Sequence, residues 1–146
     1  MTDRQTAANQ YRRQPLRLML IEDRTISAID IETKIEDLGH CVVDVASHMS
    51  QAEDRLARSS GRIDGVVLNP RLVGRSASSL ARSLARRGVP YVLLTDLPED
   101  ETRREGFRGP RVAPFAPREA VRTALDDLGR RCPRRSMLPQ ARPELA

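Results

Sequence analysis

Leu16-Arg17-Leu18-Met19-Leu20-Ile21-Glu22-Asp23 is the stretch on which the reading of this chain turns. Its apolar run is too short for a free-standing helix, and it stops abruptly at two acids. That pattern suits a strand buried on both faces of a parallel sheet. Downstream, Ser27 is placed to cap a helix in which Ala28, Ile31, Ile35 and Leu38 recur at helical spacing, and Gly39 stops it. Cys41–Ala46 reads as a second strand, and residues 51–59 as a polar helix with Ala52, Leu56 and Ala57 inward. Residues 63–68 form a third strand, closed by Asn69-Pro70. Ala77, Leu80, Ala81, Leu84 and Ala85 share one helical face, Arg82, Arg86 and Arg87 the other, and Gly88 ends the helix. Tyr91–Leu94 is a fourth strand, and the weakly apolar residues 98–108 leave room for a short helix. Residues 111–113 make a brief fifth strand. Pro117 opens a last helix with Ala120, Val121, Ala124, Leu125 and Leu128 inward and Gly129 as its stop.

Strands alternating with helices at these spacings imply an α/β fold: five parallel strands joined by right-handed crossovers, with helices on both faces. At 146 residues the chain holds one such domain, expected over residues 16–129, with a flexible lead-in (1–15) and a disordered Arg/Pro-rich tail (130–146). With 39% hydrophobic but only 3% aromatic residues, the core must be aliphatic. The net charge of +5 comes from the ends, where Arg4, Arg12, Arg13, Arg130, Arg131, Arg134, Arg135 and Arg142 sit, so the middle is nearly neutral. A specific nucleic-acid partner is therefore not expected. No apolar run approaches the length of a membrane span, and no membrane partner is expected. Cys41, Cys132 and two histidines give no zinc spacing, and a reduced, cytoplasmic protein is the default. The first strand–helix turn, Glu22-Asp23-Arg24-Thr25, lacks the glycines of a dinucleotide-binding loop.

In such sheets function gathers at the carboxyl ends of the strands. Those ends carry Leu20-Ile21-Glu22-Asp23, Val66-Val67-Leu68-Asn69-Pro70-Arg71-Leu72-Val73-Gly74, Val89-Pro90-Tyr91-Val92-Leu93-Leu94-Thr95 and Ala113-Pro114-Phe115. In that order and at those places, they resemble the response-regulator receiver domain over residues 16–128. The resemblance implies a CheY-like (flavodoxin-like) (βα)5 fold with strand order 2-1-3-4-5 and a role in two-component or phosphorelay signalling. It also implies a site in which an acidic pair holds magnesium, an aspartate accepts a phosphoryl group, a Ser or Thr binds its oxygens and a lysine neutralises it. Such chemistry positions the donor and spreads its charge over a metal and a cation.

Glu22 and Asp23 stand at the acidic-pair positions and Thr95 at the hydroxyl position, but Asn69 replaces the aspartate and Ala113 the lysine. An asparagine amide is a poor nucleophile and brings no anion to a metal, and alanine brings no cation. Pro70, with no N–H, also blocks the usual cyclisation by which an asparagine deamidates. The expected protein is thus a pseudo-receiver, not an enzyme, not phosphorylated on aspartate and acting through protein contacts. Its partner would be a sensor kinase, another receiver or a second copy. Glu22 and Asp23 are expected to bind magnesium weakly or not at all, with Arg24, Arg71 or Arg75 relieving their repulsion instead. Thr95 is read as a turn cap, and His40 and His48 as surface or capping residues. The other reading is a phosphorylatable single-domain regulator using a non-standard carboxylate, Asp96 or Asp23. Family resemblance would put docking on the fourth helix, fifth strand and fifth helix, where Arg122 and Ala124 offer positions for a test.

Overall fold

The computed structural model describes residues 14–132. The segments expected to be flexible therefore lie, for residues 1–13 and 133–146, outside the described residues. The elements run β1 (Arg17–Ile21), α1 (Thr25–Asp37), β2 (Cys41–Ala46), α2 (Met49–Ser59), β3 (Gly65–Leu68), β4 (Arg71–Leu72), β5 (Arg75–Ser76), α3 (Ser78–Arg87), β6 (Tyr91–Leu94), α4 (Glu99–Arg104), β7 (Arg111–Val112) and α5 (Arg118–Arg131). Five strands form one parallel sheet in the order β2-β1-β3-β6-β7, and β4 and β5 form a separate antiparallel hairpin. Counting the sheet strands alone, this is the expected 2-1-3-4-5 order.

Successive strand residues point to opposite faces, and the core divides accordingly. Met19, Ile21, Val66, Leu68, Tyr91 and Leu93 pack with Ala52 and Leu56 of α2 and Leu80 and Leu84 of α3. Leu18, Leu20, Val67, Val92 and Leu94 pack on the other face with Ile31 and Ile35 of α1 and Val121, Leu125 and Leu128 of α5. Every residue of β3 and β6 is buried, which is why both read as unbroken apolar runs. The α3 helix ends as its sequence asks. Gly88 takes φ 70°, and the amides of Gly88 and Val89 donate to the carbonyls of Ala85 and Leu84.

Several local expectations are corrected. Gly129 does not stop the last helix, which continues to Arg131, two residues into the segment expected to be a disordered tail. Ala120 is exposed, while Ala124 is 4% exposed and belongs to the core. A charge at Ala124 would therefore test packing rather than docking. Ser27 is a buried residue inside α1, whose N-cap is Arg24. The β4–β5 hairpin was not expected at all.

Gly65 opens β3 beneath α5, and a Cβ there would lie 2.6 Å from Leu128 Cδ2 and 3.1 Å from its Cγ. Leu128 is fully buried and has no room to retreat. Gly65→Ala should lower unfolding free energy by about 1–3 kcal/mol in denaturant titrations. Leu128→Ala combined with it should cost less than the sum of the two single changes, because the clash disappears with the leucine.

Candidate functional site

The hydrogen-bond ladder of the sheet continues past its strands and lines up their terminal residues. Glu22 N–H donates to Ala46 O (3.0 Å), Asn69 N–H to Ile21 O (2.9 Å) and Thr95 N–H to Val112 O (2.9 Å). This brings Glu22, Asn69 and Thr95 into one row at the carboxyl edge. Asp23, Asn69 and Thr95 line a 180 Å³ pocket there, together with Arg24, Arg71, Gly74, Leu94, Asp96, Leu97 and Pro114. Glu22 lies behind that surface.

Glu22 is only 3% exposed, and its carboxylate is occupied on both oxygens. Oε1 accepts from Asn69 Nδ2 at 2.7 Å and from Arg24 N–H at 3.3 Å, and Oε2 accepts from the Ser27 hydroxyl at 2.9 Å. Asn69 Oδ1 accepts in turn from Arg71 N–H at 2.9 Å. The amide cannot be turned over, since its oxygen would then meet a carboxylate and its NH2 an N–H donor. Asp23 Oδ2 accepts from Val73 N–H at 2.9 Å, while its Oδ1 is buried without a partner.

The expected arginine partners do not neutralise this pair: among the described residues neither Glu22 nor Asp23 forms an ion pair. Neutral donors relieve Glu22 instead, through an amide, a hydroxyl and a backbone N–H. This donor set does not fit magnesium. Glu22 is spent on internal hydrogen bonds, Asn69 turns its NH2 towards the carboxylate, and no third anion completes a hard-cation shell. No group of three His, Cys, Asp or Glu side chains is arranged to hold a metal among the described residues.

Thr95 is buried, and its hydroxyl accepts from Leu97 N–H at 3.1 Å, the turn-capping role expected of it. Ala113 is exposed and presents a methyl group beside Pro114 of the pocket. His40 Nδ1 accepts from Leu16 N–H at 2.9 Å, and His48 Nδ1 lies 3.2 Å from the Ser50 hydroxyl at the start of α2. Asp64 is at the far end of β3, accepting from Arg17 N–H at 2.8 Å.

Side chains from two other segments clamp α4, an arrangement not expected from the sequence. Arg71, the first residue of the hairpin, pairs with Glu101 (3.2 Å) and with Glu105, whose other oxygen accepts from the Ser76 hydroxyl at 2.8 Å. From the opposite side, Arg111 donates to the Thr102 hydroxyl (2.7 Å) and to Leu97 O. A six-residue helix has little stability of its own, so these side chains fix its position. The acidic residues of 99–105 and the arginines at 71 and 111 were visible in the sequence, but their pairing required the hairpin to be known.

No family model and no curated protein matches the sequence. Solved structures do. The PhyR stress response regulator superposes with a TM-score of 0.72 at 24% identity, over 90% of this chain and 51% of that one. The response regulator PhyR from Brucella abortus gives 0.67 at 26% identity, over 85% and 52%. The REC domain of the Erythrobacter litoralis PhyR response regulator gives 0.67 at 21% identity, over 78% and 89%. The chain spans about half the length of the first two and most of the third. Its fold is that of a receiver domain.

Asn69→Asp would set a second carboxylate against buried Glu22. We expect it to lose about 1–3 kcal/mol without metal and to regain stability with added magnesium, whereas the wild type melts at the same temperature with and without it. An Asn69→Asp variant as stable as wild type in chelator would refute this account of Glu22. Arg71→Met should speed amide hydrogen exchange at Thr102, Glu105 and Phe107 while leaving β1 and β3 unchanged.

Proposed function

We propose that this receiver-fold chain is a pseudo-receiver: a signalling module that is not phosphorylated on aspartate, performs no catalysis and acts by binding proteins. The observation that carries the reading is the 2.7 Å bond from Asn69 Nδ2 to Glu22. At the position where the resemblance calls for an aspartate nucleophile, the side chain is a donor committed to holding a neighbouring carboxylate. The second requirement of phosphoryl transfer, a cation for the developing charge, meets the methyl group of Ala113. Arg24 and Arg71 do line the pocket, but Arg71 is engaged by Glu101 and Glu105.

A protein-binding role is further supported by large apolar side chains left in solvent around the same end of the sheet. Ile26 is 73% exposed, Ile29 59%, Val73 66% and Phe115 57%. Val73 and Phe115 adjoin the pocket residues Gly74 and Pro114, and Ile26 lies three residues beyond Asp23. No helix among the described residues is long and apolar enough to cross a membrane. The resemblance makes a sensor kinase, another receiver or a second copy the partner, and a cytoplasmic location fits that role.

The alternative of a non-standard phosphorylation site has one observation in its favour. Asp23 and Asp96 both line the pocket, and Asp23 keeps one oxygen without a partner. Intact-mass spectrometry after incubation with magnesium and a small-molecule phosphodonor separates the readings. The wild type should gain no phosphoryl mass, and an Asn69→Asp, Ala113→Lys variant should gain one. A modified wild type would overturn the proposal, and loss of the added mass in Asp23→Asn or Asp96→Asn would locate the acceptor.

A further inference from the structure

At the opposite end of the sheet from the pocket, the short α4 leaves part of α3 uncovered. The chain turns back at Gly106 and Arg108 before reaching β7, and a groove of about 420 Å³ opens against the last turns of α3. Its floor is apolar: Ala81 and Ala85 of α3, Val89 and Pro90 of the following loop, and the ring of Tyr91 at the start of β6. The Tyr91 hydroxyl accepts from Arg108 N–H at 2.7 Å, which holds the ring and the α4–β7 turn together.

The rim is made of arginine. Arg82, Arg108 and Arg131 line the groove, and no acidic residue does. Arg82 is exposed, with no hydrogen bond or ion pair among the described residues. Arg108 donates to the carbonyls of Arg103 (2.9 Å) and Phe107 (2.8 Å), which orient its guanidinium without neutralising it. Arg131 bonds the carbonyl of Tyr91 at 3.1 Å and pairs with Asp127 at 3.2 Å, but Arg130 claims the same carboxylate at 3.2 Å. One acid thus faces two arginines beside the groove. Arg86 and Arg87 extend the positive surface along the end of α3.

We propose that this groove docks an acidic segment of a partner protein, one that places aliphatic side chains on the Ala81–Tyr91 floor and carboxylates on Arg82, Arg108 and Arg131. This rests on the reading of the chain as a protein-binding module and extends it to a second surface and to the partner's chemistry. Charge complementarity selects this occupant. Arginine forks bind carboxylates in paired geometry, and an apolar floor favours side chains with methyl groups. A nucleic-acid backbone would use the rim but leave the floor uncovered. The chain's own segment 133–146 carries Arg134, Arg135 and Arg142 and is like-charged with the rim.

The test uses the full 146-residue chain, isotope-labelled and followed by amide NMR. The probes are an N-acetylated peptide of alternating Glu and Leu pairs, an all-Glu peptide of equal length and a short DNA duplex. The Glu–Leu peptide should shift the amides of Arg82, Gly88, Tyr91, Gly106 and Arg108. It should bind at least about tenfold more tightly than the all-Glu peptide or the duplex. Arg82→Glu breaks no internal contact, and Ala85→Trp fills an exposed part of the floor. Each should weaken binding by about tenfold or more while leaving the spectrum of the free protein folded. Equal binding of the three probes would overturn the proposal in favour of a general polyanion surface. Concentration-dependent shifts at the groove without any peptide would overturn it in favour of a second copy. Shifts elsewhere, or none, would overturn it outright. Neither substitution touches the strand-end pocket, so the phosphodonor mass measurement on the same variants keeps the two proposals separable.

Discussion

Glu22 loses nearly all its water when β1 takes its place between β2 and β3, and a buried carboxylate is tolerated only if its oxygens find donors. Here the donors come from three parts of the chain. Asn69 reaches across from β3, Ser27 up from α1, and the amide of Arg24 back from the turn between. That arrangement ties the first crossover to the middle of the sheet. It also favours an amide at residue 69. An amide donates one bond to Glu22 and accepts another from Arg71 N–H through separate atoms, whereas an aspartate there would need a cation or a proton between the two carboxylates. On the proposed reading, the interaction that stabilises this end of the fold is the one that removes its chemistry.

The same residue links the pocket to α4. Arg71 gives its backbone N–H to Asn69 and its guanidinium to Glu101 and Glu105, so the strand-end row and the short helix share one anchor. Arg111 closes the helix from the other side. These contacts are half-exposed, and each is worth little singly. Their effect is geometric: with α4 limited to residues 99–104, they decide where it sits, and hence how much of α3 stays uncovered at the far end. A short helix and an arginine-rimmed groove are in this sense one feature seen from two sides.

The sheet order and the strand-end residues were legible in the sequence because buried parallel strands write themselves as unbroken apolar runs, of which residues 65–68 and 91–94 are the plainest. The row Glu22, Asn69, Thr95, Ala113 follows from strand ends alone. What could not be read was how the buried charges are satisfied. Arginine was the expected partner for Glu22, yet the donors are Asn69, Ser27 and a main-chain amide, chosen by distances that no spacing rule supplies. Residues 71–76 are too short and too mixed to signal a hairpin, and without it the partners of Arg71 stay hidden. Gly129 illustrates the reverse case. A glycine near a helix end reads as a stop, but here the helix passes through it to Arg131.

The hairpin carries a last consequence, in the currency of evolvability. Val73 sits at its tip with φ 50°, a left-handed backbone that a β-branched residue adopts at a cost of roughly 1–2 kcal/mol, while its side chain stands mostly in solvent. Core packing returns nothing for that cost, and asparagine would take the same turn with less strain. The domain thus forgoes stability that a single exposed substitution would recover, and a chain carrying that substitution could absorb more sequence drift at its surface without losing its fold.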